Sequence, residues 1–202
     1  MLTMILFLFS VILISLSGVM MPGPVFAVTV AKGKTDGNAG LYIALGHGII
    51  EIPLMISIYL GFSQLFAYEV VKRVIGFIGG LMLLYMGYSM FKTRKKIEEK
   101  SLNFNYNSLI AGIITTGANP YFLLWWATVG AALVSTATNY GLIGFIIFAL
   151  THWMCDLGWD LLISKIIYKS QRFWSRKIHE VIFVCCALIL FGFGLWFIIS
   201  SL

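Results

Sequence analysis

The 202-residue chain is 60% hydrophobic and only 11% charged, with a formal net charge of +6. A soluble domain carries about one charged residue in four, so this composition excludes a soluble globular protein and indicates one embedded in lipid. The positive balance lies in a few short loops, where it acts as a topology signal and implies no nucleic-acid partner.

A helical membrane span needs about 20 predominantly apolar residues. Six stretches qualify: 4–31, 39–62, 74–91, 109–135, 141–164 and 181–201. The fold class expected is an all-α integral membrane protein. The first stretch has no basic segment ahead of it, and its apolar run continues past residue 14, so it is expected to be a retained helix and not a cleaved signal peptide. It contains Met21-Pro22-Gly23-Pro24. Proline removes a backbone donor and clashes with the preceding turn, which predicts a broken helix here. In lipid the freed backbone groups must face protein or a water-filled cavity.

The second stretch carries Ala44-Leu45-Gly46-His47-Gly48-Ile49-Ile50-Glu51. Pro53, just beyond, reads as a packing kink. The third holds Gly76-x-x-x-Gly80, a spacing that permits close helix contact. Intramolecular packing is its expected use, although a homodimer seam would use the same pattern. A long basic connection, 93–108, follows. The fourth stretch is interrupted by Gly117-Ala118-Asn119-Pro120, predicting a second break, and its Trp125-Trp126 pair could line a substrate path, although facing lipid is the expected use. The fifth holds Ala149-Leu150-Thr151-His152-Trp153-Met154-Cys155-Asp156, a second Ala-Leu-x-His-x-x-x-carboxylate. The sixth carries Gly192 and Gly194, again suited to close contact. Cys155, Cys185 and Cys186 show no zinc or disulfide spacing. Only Cys155 has a soft-metal reading, and it points about 100° away from Asp156 on a helix.

Twelve of the fourteen lysines and arginines lie after the first, third and fifth stretches, and only Lys72 and Arg73 lie on the other side. Positive-inside bias therefore places those three loops in the cytoplasm and both termini outside the cell membrane. Trp174, Tyr106 and Tyr140 fall near span ends, where aromatic belts form. Three stretches precede the basic connection and three follow. An odd number per half forces opposite orientations, so repeat 1 (1–92) and repeat 2 (109–202) are expected to be inverted. The two His motifs are 105 residues apart and Pro24 and Pro120 are 96 apart, so an insertion lies between the landmarks.

Residues i and i+4 share one helix face. Each half thus aims a histidine and an acid in one direction near mid-depth, where ionisable groups are costly and mark a functional site. His47, Glu51, His152 and Asp156 are the candidates for carrying a proton, with Asp160 one turn further on. Glu51 and Asp156 also suit the ammonium group of a substrate. The breaks at Pro22-Gly23-Pro24 and Asn119-Pro120 present helix N-terminal ends that suit its carboxylate. Two histidines and two acids form an alternative ligand set for a divalent metal as cargo. An enzyme is not expected. The chain has no Gly-x-Ser-x-Gly elbow, and His179-Glu180 is followed by Val181-Ile182-Phe183, which is no zinc-protease motif. His179 is expected at the interface.

Pro22-Gly23-Pro24 closing the first span, the basic loop from Lys32 to Lys34, Gly40-Leu41 to Gly46 opening the second, and Asn119-Pro120 preceded by Gly112-Ile113-Ile114-Thr115-Thr116 resemble the LysE/RhtB amino-acid exporter family. The resemblance implies a six-span transporter that exports amino acids such as lysine, arginine, threonine or homoserine on an ion gradient, a proton gradient being expected here. It implies no cofactor. The runner-up is export of a divalent metal, as in related carriers of cadmium or manganese.

Overall fold

The computed structural model describes residues 2–20, 23–62, 69–94, 107–170, 173 and 175–202. All regular structure among them is helical: α1 (Leu2–Val19), α2 (Pro24–Gly33), α3 (Ala39–Tyr59), α4 (Glu69–Thr93), α5 (Ser108–Gly117), α6 (Pro120–Trp125), a π-helical turn (Trp126–Gly130), α7 (Ala131–Thr138), α8 (Gly141–Ser170) and α9 (Arg176–Ser201). Among the described residues four segments are long and apolar enough to cross a membrane: Leu2–Val19, Ala39–Tyr59, Gly141–Ser170 and Glu180–Ser201. Leu2, Leu6, Phe9 and Leu13 on α1, like Leu142, Ile143 and Leu150 on α8, turn outward, as lipid contact requires.

Both predicted breaks are present. α1 ends at Val19, and α2 restarts with Pro24 as its first residue after an extended Gly23. A proline suits that position because its missing N–H would have had no helical partner. α5 stops at Gly117, and Asn119 separates it from α6, which begins at Pro120. Pro53 lies inside α3 and does not interrupt it. The fifth stretch continues beyond the expected 164 to Ser170, as a solvated, lysine-bearing extension. Side-chain caps start two helices: Asn107 accepts from Ile110 N at 2.9 Å, and Ser175 accepts from Ile178 N at 3.3 Å.

α3 packs chiefly on α5 and α8, α4 on α9, and α1 and α2 on α8. The approach of α3 to α5 is backbone to backbone. A Cβ at Gly46 would overlap the Leu109 carbonyl, and one at Gly112 would overlap the Ile43 carbonyl. Gly80 and Gly194 face each other across α4 and α9, so Gly80 packs within the chain, while the surroundings of Gly76 lie outside the described residues. Gly192, expected to do the same, faces open space.

Two apolar clusters hold the bundle. One gathers Ala27, Val28, Ile43, Ala111, Phe183 and Leu190. The other gathers Val11, Met55, Trp126, Val134 and Phe148. Tyr140, expected in an interfacial belt, lies just before α8 and stacks on Phe7 at 5.7 Å beside the second cluster. Along α3, Glu51 lies between Ile43 of the first cluster and Leu54 of the second, so the ionisable residues occupy the gap between the two cores.

Pro22, Lys95, Lys96, Lys100, Tyr106, Arg172 and Trp174 fall outside the described residues, as do the side chains of Lys72, Pro120, Arg176 and His179.

Candidate functional site

The two His-x-x-x-carboxylate motifs meet. His47 and Glu51 come from α3, His152 and Asp156 from α8, and all four are buried. Glu51 Oε1 is the hub. It lies 3.0 Å from His47 Nε2 and 3.2 Å from His152 Nε2, and it accepts the indole N–H of Trp126 at 3.3 Å. Asp156 stands back. Its carboxylate oxygens lie 3.8 Å from His47 Nε2 and 3.6 Å from His152 Nε2, beyond hydrogen-bond length. Glu51 Oε2 and Asp156 Oδ2 are both buried and have no hydrogen-bond partner among the described residues.

These groups open onto a cavity of about 110 Å³. The helix breaks contribute Gly23, Pro24 and Asn119 to its wall, and Phe26, Phe122, Trp125 and Trp126 supply aromatic surface. Val25 and Phe26, in the first turn of α2, also line it; helix geometry leaves their N–H groups without an intrahelical acceptor. Asp160, one turn further along α8, is only 4% exposed, lines the same cavity and accepts from Thr29 Oγ1 at 3.1 Å. Just past α2, burial lowers the Lys34 ammonium below the ordinary lysine range.

Of the sequence-predicted site residues, Gly23, Pro24, His47, Glu51, Asn119, His152, Asp156 and Asp160 therefore share one cavity. Cys155 does not. Its thiol donates to the Thr151 carbonyl, and it borders a separate surface groove with Ile12 and Met154.

A correction concerns Trp125-Trp126, which were expected to face lipid. Trp126 is 1% exposed and bonded to Glu51, and Trp125 stacks on His152 with ring centroids 5.3 Å apart. On a regular α-helix adjacent side chains diverge by about 100°. The π-helical turn beginning at Trp126 alters the winding there, and such turns are frequent at functional sites. Ser15 and Thr116 were also missed. Ser15 Oγ lies 2.7 Å from His152 Nδ1, and Thr116 Oγ1 lies 2.8 Å from His47 Nδ1. Each hydroxyl sits on the half-helix preceding a break, and that placement was the only sequence signal available.

The architecture is thus helical and membrane-spanning, with a buried acid–histidine cavity at two broken helices. The LysE type translocator family model matches residues 16–201. The chain belongs to the LysE type translocator family. This is a family of membrane transporters. No curated protein and no solved structure matched the chain.

Proposed function

We propose that this translocator is a proton-coupled secondary exporter of amino acids, working in the cell membrane by alternating access of two inverted three-helix repeats. The observation that carries the reading is the pair of buried carboxylate oxygens, Glu51 Oε2 and Asp156 Oδ2, left without hydrogen-bond partners on a cavity walled by both helix breaks. Two bare acid oxygens favour a cation, and the ammonium of an amino acid supplies three donors. The first turn of α2, with Gly23, Pro24 and Asn119 beside it, suits the carboxylate at the other end. The aromatic walls suit a small side chain. When the cargo leaves, a returning proton is taken up on Asp156 while Glu51 stays ionised between the two imidazoles, with His47 and His152 as relays and Asp160 as a station on the way.

Six spans follow if α1–α2 and α5–α7 each form one interrupted crossing and α4 also crosses. Packing between elements supports an inverted repeat: α1 meets α8 as α5 meets α3, and α2 meets α3 as α7 meets α8. The basic ends of the helices converge, which supports one cytoplasmic face and extracytoplasmic termini. Gly33 abuts Ser164, Arg94 Nε lies 3.7 Å from Glu180, and Lys34 Nζ lies 5.7 Å from the Phe183 ring centroid.

One observation favours a second reading, a divalent metal as cargo. His47, Glu51 and Asp156 each offer a ligand atom, and these atoms lie within 4.8 Å of one another. Nitrogen and carboxylate oxygen together suit a borderline divalent ion.

Thermal stabilisation of the purified protein separates the two, because a ligand of the native state raises its apparent stability. The exporter reading expects a shift with basic or small polar amino acids that disappears in Glu51→Gln. A shift confined to cadmium, manganese or zinc, and lost in His47→Ala and His152→Ala, would replace it with the metal carrier. Counterflow of the stabilising solute in proteoliposomes, with and without an imposed pH gradient, then tests coupling.

A further inference from the structure

Hydroxyls in helices normally bond back to their own backbone. In this bundle Ser10, Ser17, Thr115, Thr136 and Thr151 do so, each donating to a carbonyl three or four residues earlier. Ser15 and Thr116 depart from the habit. Both are fully buried, and the hydrogen bond of each is to a histidine Nδ1 on a helix of the other half of the chain. They are also matched in place. Ser15 lies on α1 before the first break and Thr116 on α5 before the second, and they hold the two histidines of the repeated motif.

The proton arrangement follows from donor and acceptor counting. An ionised carboxylate only accepts. With Glu51 Oε1 at 3.0 and 3.2 Å, each ring must present Nε2–H toward it. A neutral imidazole then has a lone pair on Nδ1, which needs a donor. If Nδ1 carried a proton instead, each hydroxyl hydrogen would need an acceptor elsewhere, and neither Ser15 nor Thr116 has the usual bond to a carbonyl of its own helix among the described contacts. We propose that Ser15 and Thr116 are positioning residues that hold His152 and His47 as Nε2–H tautomers, so that both rings donate to one oxygen of Glu51 and leave its other oxygen to the cargo. Only the last clause rests on the pocket being the cargo site; the tautomer assignment does not.

The matched hydroxyls thus orient the second oxygen of Glu51 indirectly. Oε1 is held by two imidazoles and an indole, the carboxylate plane is set by them, and Oε2 is left bare. Second partners of this kind normally set which ring nitrogen carries the proton.

The test is nitrogen-15 magnetic resonance of the full chain labelled at histidine, in lipid at neutral pH, with no cargo added. His179→Gln removes the third signal, and His47→Gln and His152→Gln assign the other two. Two Nε2–H tautomers with hydrogen-bonded Nδ1 acceptors are expected. Ser15→Ala should disturb the His152 signals alone, and Thr116→Val the His47 signals alone, with loss of the single tautomer. Ser15→Thr and Thr116→Ser should restore it. A ring protonated at Nδ1 in the unsubstituted chain, alone or together with Nε2, would overturn the assignment. So would single tautomers that persist without the hydroxyls. The unsubstituted spectrum decides the tautomer even where a variant fails to fold. Because no transport is measured, a wrong cargo and a wrong tautomer give separable failures.

Discussion

The two halves of the chain carry the same motif and use it differently. In the first half it continues as His47, Glu51, Met55, and in the second as His152, Asp156, Asp160. Glu51 is tied down by both histidines and Trp126, whereas Asp156 makes no hydrogen bond at its Oδ2 and lies beyond bonding distance of either ring. One turn on, Met55 is sealed in apolar packing while Asp160 lines the cavity and is bonded to Thr29. The extra methylene of Glu51 lets its carboxylate reach between two imidazoles; the shorter aspartate stops short of both. A duplicated pattern thus supplies matched positions, and side-chain length and neighbours divide the labour between them.

The sharpest way to break this contrast is to make the halves alike. Met55→Asp would place an acid where no buried partner awaits it. An uncompensated buried charge costs about 3–5 kcal/mol, so the variant should lose most of its folded yield in a thermal melt. If it folded as well as the parent, the apolar character of that position would not be a constraint.

Glu51→Gln comes next. It replaces an ionised acceptor of three N–H groups, and hydrogen bonds to charged groups contribute about 1.5–3 kcal/mol each. Transport into proteoliposomes should fall roughly 10–100-fold, the rate equivalent of that energy, and stabilisation by cargo should vanish. Retained transport would show that the hub is structural only.

Asp156→Asn should separate the two acids. Since Asp156 makes no hydrogen bond among the described residues and stands 3.6 and 3.8 Å from the two histidines, its melt should be damaged less than that of Glu51→Gln, while cargo-induced stabilisation drops. A melt more damaged than that of Glu51→Gln would reverse the roles of anchored and free acid.

The smallest effect is expected from Trp126→Phe. It keeps an aromatic ring but removes one neutral donor to Glu51 Oε1. One such bond contributes about 0.5–1.5 kcal/mol, so apparent affinity for cargo should weaken only several-fold. A loss as large as that of Glu51→Gln would make the indole N–H as important as the acid it binds.

Composition and hydropathy by themselves determined that the chain is helical and lives in lipid, because a bilayer admits no unpaired backbone and so dictates long apolar helices. Pro24, Asn119 and Pro120 announced the two interruptions, since proline cannot continue a helical ladder whatever surrounds it. The spacing of His47 with Glu51 and of His152 with Asp156 placed each pair on one face, a local consequence of 3.6 residues per turn. What lay beyond local geometry was decided only when the helices packed. That both histidines converge on Glu51 and not on Asp156 depends on how α3 and α8 cross. The inward turn of Trp126 depends on a π-helical winding that no residue pattern marks. Ser15 and Thr116 look like the other helical hydroxyls in sequence, and only the distance to a histidine more than sixty positions away sets them apart. Contacts between residues remote in the chain leave no periodic trace in it, and this site is built almost entirely from such contacts.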